Sequence, residues 1–144
     1  MSESEFWDLI AEINESDLVN PSTVRSVLEP FIKRLTLLDR DQLESFQDHL
    51  AQALFRLDGK KFAEASKSGD SNDGFLYARA FVVAKGQKFY KCVLANPELM
   101  PKEYEECEEL LYAVEHAWQL KDEDEWSYIT PVSYETGSNT DAWV

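Results

Sequence analysis

Apolar residues recur every three or four positions along most of this 144-residue chain. This spacing places them on one face of an α-helix and predicts a succession of amphipathic helices. The apolar positions of the first three predicted helices are Phe6, Leu9, Ile10 and Ile13; Val24, Val27, Leu28, Phe31, Leu35 and Leu38; and Leu43, Phe46, Leu50, Leu54 and Leu57. No stretch before residue 125 alternates with a period of two for long enough to predict a sheet.

Start and stop signals divide this pattern into separate helices. Asn20-Pro21 opens the second helix, because asparagine caps a helix N-terminus and proline suits the first helical position. Asp39, followed by Gln42 three residues later, predicts a capping box that opens the third helix. Gly59 is expected to end that helix.

Four further helices are predicted at 60–67, 72–85, 87–95 and 101–120. Gly86 is expected to end the second of these, and Pro101 to begin the last. The apolar stripe of the last helix consists of Tyr104, Cys107, Leu111, Val114 and Trp118. The pattern therefore predicts an all-α protein, a single compact bundle of six or seven helices.

The chain changes character after residue 125. Residues 126–144 contain aromatic and β-branched side chains, but Pro131 and Gly137 interrupt them and exclude a continued helix. We expect a helical domain at 1–125 and an extended aromatic C-terminal tail at 126–144 that packs back on it. Contact of this tail with a partner is the alternative.

Composition and charge restrict the class of protein. With 44% hydrophobic and 12% aromatic residues, the chain is not a disordered acidic tail despite its net charge of -14. It lacks the basic start and apolar core of a secretory signal, and a membrane span of about 20 apolar residues. We therefore expect a soluble, cytoplasmic protein without membrane contact, in which Cys92 and Cys107 are reduced core residues.

The charge is unevenly distributed along the chain. Residues 1–58 carry twelve acids and five bases (-7), and residues 59–102 carry four acids and eight bases (+4). Residues 103–144 carry twelve acids and one base (-11). This asymmetry predicts a polarised surface, unless the basic middle pairs with its acidic neighbours inside the fold.

One arginine lies inside a nearly all-apolar helix, in the stretch GDSNDGFLYARAFVVAKG at 69–86. A helix that is apolar on all sides is a central helix, contacted on several faces. An unpaired buried guanidinium costs several kcal/mol. We therefore expect Arg79 to be at least half buried and paired with an acid.

The start of the same helix contains two acids. Asp70 and Asp73 lie where a short side chain caps free N–H groups and the helix dipole favours negative charge, and Ser71 offers a third cap. The alternative is functional, with Asp70, Asp73, Tyr77 and Arg79 lining one polar pocket.

The stretch SNDGFLYARAFVVAKGQKFYKCVLANPELM resembles the signature of a bacterial family called domain of unknown function 4240. Its members carry an acidic pair, a small residue, phenylalanine, an aromatic-arginine step, an apolar run and a glycine, followed by a turn of the type DPDSL. The matching positions are Asp73, Phe75, Arg79, Gly86 and Asn96-Pro97-Glu98-Leu99, together with Phe6-Trp7, Ile10 and Glu108-Glu109-Leu110-Leu111.

This resemblance covers about residues 5–120. Asn72 stands where the family usually has an acid, and Ala80 where tryptophan or glycine is common, which weakens the case for a polar site. The resemblance supports the helical fold and implies no activity, because the family has no established one.

Motifs for metal binding and catalysis are missing from the sequence. A zinc site needs convergent ligands, and His49 and His116 do not share a helix turn. Glu109 shares a predicted helical face with His116, and a metal site that these two share with His49 is the alternative. We expect surface or boundary histidines and no metal. Without a GxSxG elbow or a glycine-rich phosphate loop, no catalytic residue and no cofactor are predicted. The lack of a basic face argues against nucleic-acid binding.

The acidic C-terminal third is the strongest remaining signal. Residues 103–125 carry ten acids and the single base Lys121. Like charges at four-residue spacing destabilise a helix by a few tenths of a kcal/mol each. This cost favours a function for the negative surface over the alternative, a solvated face that only keeps the protein soluble. The residues expected to face away from the core and to bind a partner are Glu105, Glu108, Glu109, Tyr112 and Glu115.

Two functional hypotheses follow. The first is an acidic helical interaction protein that binds and neutralises a basic protein partner, such as a toxin domain, in the manner of immunity or inhibitor proteins. The alternative is a small enzyme or ligand-binding domain with a polar pocket around Asp70, Asp73 and Arg79. A continuous acidic face favours the first hypothesis, and an arginine in a cleft with acids favours the second.

Overall fold

A computed structural model describes residues 1–13, 18, 24–67, 71–103, 105–121 and 124–144. The α-helices of these residues are α1 (Glu3–Ile10), α2 (Val24–Leu35), α3 (Arg40–Arg56), α4 (Lys60–Ala65), α5 (Asn72–Ala84), α6 (Gln87–Ala95) and α7 (Ala113–Leu120). Short 3-10 helices occur at Pro97–Leu99, Glu108–Tyr112 and Thr140–Trp143. The predicted all-α architecture with six or seven helices is confirmed. None of the described helices is long and apolar enough to cross a membrane.

Capping boxes open two of these helices. The Glu5 N–H donates to the Ser2 hydroxyl at 3.1 Å, and the Ser2 N–H donates to the Glu5 carboxylate at 2.7 Å. In the predicted box before α3, the Gln42 N–H donates to Asp39 at 2.9 Å and the Asp39 N–H donates to the Gln42 side chain at 3.1 Å. Each box satisfies two backbone donors that the helix cannot pair itself. Asn20-Pro21 lies outside the described residues.

Helix α5 is the central helix, as its apolar sequence predicted. All its residues from Gly74 to Ala84 are buried except Tyr77. The helix ends before Gly86, which has a φ of 102°. A side chain rarely adopts this backbone conformation, so glycine at this position is a structural requirement.

A serine hydroxyl caps the start of α5. The Gly74 N–H donates to the Ser71 hydroxyl at 2.9 Å. Asp73 lies exposed in the first turn, where the helix dipole favours its charge. Asp70 lies outside the described residues, so its predicted capping role is not described.

Gly59 does not end α3, so this prediction is wrong. Helix α3 is capped at Leu57, and Gly59 instead opens α4 with an extended φ of -162°. A Cβ atom at position 59 would lie 3.1 Å from the Cβ atom of Ala142. Close packing of the C-terminal tail therefore explains this glycine.

The predicted long helix from Pro101 to Leu120 is also wrong in its first half. The described residues 101–103 and 105–107 form an irregular segment that precedes the 3-10 helix Glu108–Tyr112, and α-helix begins only at Ala113. The Cys107 N–H donates to the Tyr77 carbonyl oxygen of α5 at 3.1 Å. This tertiary hydrogen bond uses a donor that an α-helix would need, and repulsion between closely spaced glutamates further disfavours a helix. Four residues of the predicted apolar stripe are nevertheless buried: Cys107, Leu111, Val114 and Trp118. The fifth, Tyr104, lies outside the described residues.

The C-terminal tail lies against the bundle. Trp126, Tyr134 and Trp143 are partly buried against the hydrophobic core. The Trp126 indole N–H donates to Gln47 of α3 at 3.1 Å. The guanidinium of Arg40 lies 5.3 Å from the centre of the Trp126 ring, within cation–π range.

Candidate functional site

Arg79 of α5 is fully buried, as its surroundings predicted. Its Nη1 atom donates to the carbonyl oxygens of Leu54 and Tyr134, both at 3.0 Å. Its Nη2 atom donates to the Thr136 hydroxyl at 3.1 Å, and the guanidinium lies 4.7 Å from the centre of the Phe75 ring. Two of these three hydrogen-bond partners belong to the C-terminal tail. No described carboxylate lies within 4.0 Å of the guanidinium, so the expected pairing with an acid is not found among the described residues.

A second buried charge, which the sequence analysis did not identify, binds the same tail. Asp58 is fully buried between α3 and α4. Its carboxylate accepts hydrogen bonds from the N–H groups of Gly137 at 3.1 Å and Asn139 at 2.9 Å. It also accepts one from the indole N–H of Trp143 at 2.9 Å. In the sequence this acid precedes Gly59 and has the signature of an ordinary turn residue.

Asp58 and Arg79 together form a buried charge clamp on the tail. Burial lowers the pKa of Arg79 to about 10, and the carboxylates of Asp58 and Glu135 oppose this shift. The guanidinium therefore remains charged at neutral pH. Hydrogen bonds to charged groups are stronger than those between neutral groups, so the clamp adds a strong polar attachment to the aromatic contacts of the tail.

The structure places the residues of the predicted polar pocket in different environments. Asp73 is exposed, Tyr77 is half-buried, and Arg79 is covered by the tail. Asp70 lies outside the described residues. Arg79 is therefore not accessible as a pocket wall while the tail is docked.

Tyr77 instead belongs to a surface formed by several tyrosines and acids. Burial and the neighbouring Glu108 carboxylate raise the pKa of Tyr77 to about 12, with smaller contributions from Asp73 and Tyr112. Burial, with Glu135 and Tyr112, also raises the pKa of Tyr134. We call the group formed by Asp73, Tyr77, Glu108, Tyr112 and Tyr134 the acidic tyrosine surface. It combines members of both predicted sites with a residue of the tail.

The other predicted partner-binding residues do not lie on one helix face. Glu105 belongs to the irregular segment, and its carboxylate accepts the Lys102 N–H at 2.9 Å. Glu109 lies in the 3-10 helix and Glu115 in α7. All three side chains are partly buried, whereas Tyr112 is 44% exposed. Their role in binding remains a prediction.

The described acids of 103–121 have no cationic partner among the described side chains. The ion pairs between described residues are Arg34 with Glu12 at 3.5 Å and Arg40 with Glu44 at 3.1 Å, both in the N-terminal half. Internal pairing of the basic middle with the acidic C-terminal third is therefore not found in the described part of the chain.

Histidines and cysteines do not form a further site. The Nε2 atom of His49 lies 3.0 Å from the carbonyl oxygen of Met1, and His116 borders a cavity of about 540 Å³ between α2 and α7. Within the described ranges, no three His, Cys, Asp or Glu side chains are placed to hold a metal ion. Cys107 is buried as predicted, whereas Cys92 is exposed and its predicted core position is wrong.

Comparison with known proteins identifies the family of this chain. No curated protein and no solved structure matches it. A family model described as "Protein of unknown function (DUF4240)" matches residues 1–120. This match covers most of the chain and confirms the resemblance noted at residues 5–120, so the protein belongs to the DUF4240 family.

Proposed function

We propose that this protein binds a basic protein partner through the acidic tyrosine surface and the neighbouring glutamates Glu105, Glu109 and Glu115, and that it neutralises that partner as an inhibitor or immunity protein does. The observation that carries the proposal is the set of acids in 103–121 without cationic partners among the described side chains, next to the exposed ring of Tyr112.

The chemistry of such a surface suits a cationic protein. Unpaired carboxylates attract basic side chains over distances comparable to the Debye length, which accelerates encounter. A partly exposed tyrosine among them supplies apolar contact area and a hydroxyl, and tyrosine is enriched among residues that dominate binding energy at interfaces. Charge then contributes mainly to the association rate, and Tyr112 to the lifetime of the complex.

A charge-neutralised variant tests the proposal. Glutamine is preferable to lysine because Glu105 accepts a backbone hydrogen bond, which the glutamine oxygen preserves. The test variant carries Glu105→Gln, Glu108→Gln and Glu109→Gln. The control variant has the same net charge and neutralises three exposed acids elsewhere: Glu29→Gln, Glu64→Gln and Glu98→Gln.

Parent, test and control proteins are used in parallel to capture binding proteins from an extract of the source cells. The captured protein is then purified, and its association rate with each of the three proteins is measured. We expect a basic protein whose association slows roughly tenfold or more from low to physiological salt. We also expect the test variant, and not the control variant, to lose most of this rate. Equal rates for all three proteins, or an acidic captured protein, would contradict the proposal.

A further inference from the structure

The C-terminal tail contacts the bundle as a bound peptide contacts its receptor. Among the described residues, every hydrogen-bond partner of the Asp58 carboxylate belongs to the tail. Two of these are backbone N–H groups, at Gly137 and Asn139, and Arg79 reaches the backbone carbonyl of Tyr134. Recognition through main-chain groups supplies affinity, as it does when receptors bind extended peptides.

The burial pattern of the tail supports this comparison. Between residues 131 and 138, exposed and partly buried residues alternate, so one side of the segment lies against the bundle and the other faces solvent. The segment is not fully extended, because the Ser138 N–H donates to the Glu135 carbonyl oxygen at 3.0 Å and closes a turn. No described residue from 124 to 144 is fully buried. The bundle, by contrast, has its own continuous core of buried residues. The tail is therefore attached from outside the core, by hydrogen bonds to Asp58 and Arg79 and by the rings of Trp126, Tyr134 and Trp143, which pack against the core surface. We call the part of the bundle surface that contains Asp58 and Arg79 and lies under the tail the groove.

The extent of the family match separates the part of the chain that would act as the receptor from the part that would act as its ligand. Both clamp residues, Asp58 and Arg79, lie within residues 1–120, the part that the family model matches. The segment that satisfies them begins at Tyr134, outside the match. The two charged residues thus belong to the family domain, and the tail residues that hydrogen-bond to them belong to a separate segment.

The fit of the tail to the groove is incomplete. The Nε atom of Arg79 is buried and has no hydrogen-bond partner among the described residues. A buried donor without an acceptor is costly. The groove can therefore satisfy one more acceptor than the tail offers.

We propose that the groove containing Asp58 and Arg79 is a peptide-binding site and that residues 134–143 are its ligand, bound within the same chain. The ligand class is a peptide that folds into a turn at 135–138 and a short 3-10 helix at Thr140–Trp143, with a hydroxyl residue, a glycine that adopts positive φ, and an indole that reaches the carboxylate. Thr136, Gly137 and Trp143 supply these groups in this chain. This inference shares Tyr134 with the acidic tyrosine surface but does not rest on the proposed function, because Arg79 contacts only the backbone carbonyl of Tyr134 and the acidic glutamates take no part.

Cleavage of the folded full-length chain tests the inference. A recognition site for a specific protease is inserted between Glu125 and Trp126, both exposed or only partly buried, and the purified protein is cut after folding. We expect the released segment to remain bound through gel filtration and to exchange with a fluorescently labelled synthetic peptide of residues 126–144. Anisotropy then gives the dissociation constant of the peptide.

Two peptide variants make the test specific. Trp143→Phe removes the indole N–H that donates to Asp58 and should weaken binding about tenfold or more, since a hydrogen bond to a buried charged group is among the strong ones. Ile129→Ser alters a side chain that is 87% exposed and should leave the affinity unchanged within about twofold.

Three outcomes would overturn the inference. The segment could dissociate completely from a body that keeps its helical circular dichroism, or the Trp143→Phe peptide could bind as tightly as the parent peptide. Alternatively, the cut protein could lose its helical signal, in which case the tail is part of the folding core and not the occupant of a preformed groove. None of these results depends on the glutamines used to test the acidic surface.

Discussion

Replacing Arg79 by methionine removes the buried guanidinium and keeps an unbranched side chain that can still pack against Phe75. The substitution deletes hydrogen bonds to Leu54, Tyr134 and Thr136 and leaves the buried carboxylate of Asp58 without its cationic neighbour. A hydrogen bond to a charged group typically contributes about 1.5–3 kcal/mol, and a buried acceptor that loses its donor adds a further cost. Methionine recovers part of this through apolar contact, so we expect the free energy of unfolding to fall by about 3 kcal/mol.

Urea unfolding followed by far-UV circular dichroism measures this change at neutral pH. Since 1 kcal/mol shifts the melting temperature of a chain of this size by roughly 2–4 °C, the melting temperature should also fall by roughly 6–12 °C. Limited proteolysis provides a separate measure of the tail, because loss of the clamp should expose the chain around Tyr134 to cleavage before the bundle unfolds.

A double-mutant cycle with Asp58→Asn separates the pair from its individual members. If the two charges stabilise each other, the double variant Asp58→Asn/Arg79→Met should be less destabilised than the sum of the single variants by about 0.5–3 kcal/mol. The reasoning fails if Arg79→Met unfolds within about 0.5 kcal/mol of the parent and its tail resists protease equally well. Strict additivity would refute the coupling alone.

Two further predictions concern the cysteines and one glycine. Burial raises the pKa of the Cys107 thiol to about 12, whereas Cys92 is exposed. A thiol reagent at mildly alkaline pH should therefore modify one cysteine in the folded protein and two after unfolding. Rapid modification of both cysteines in the folded state would contradict the burial of Cys107. Gly86 combines a φ of 102° with a ψ of 169°, a region that only glycine occupies readily. Gly86→Ala should lower the free energy of unfolding by about 1–3 kcal/mol in the urea assay, and an unchanged midpoint would show that this conformation is not required.

The helical elements were predictable wherever local chemistry decides them. The Asp39–Gln42 box and the glycine at position 86 act on the backbone within four residues, so their meaning is contained in the sequence. The burial of Arg79 was also predictable, because an all-apolar helix has no exposed face on which to place it. The failure at 101–112 has the opposite cause. There the residue pattern suits a helix, but the Cys107 N–H bonds across to Tyr77.

The acidic composition, the helical class and the family followed from the sequence by itself. Only the tertiary structure showed that Asp58 and Arg79 hold the tail, and that Tyr77 and Tyr112 share one surface. The tail binds these charges through groups 55 to 85 residues away along the chain. Its partners there are mainly backbone N–H and carbonyl groups, which every residue except proline carries in full. Thr136 and Trp143 also contribute side-chain groups, but nothing in the amino-acid pattern pairs these two residues with Asp58 and Arg79, and only the folded structure shows the pairing.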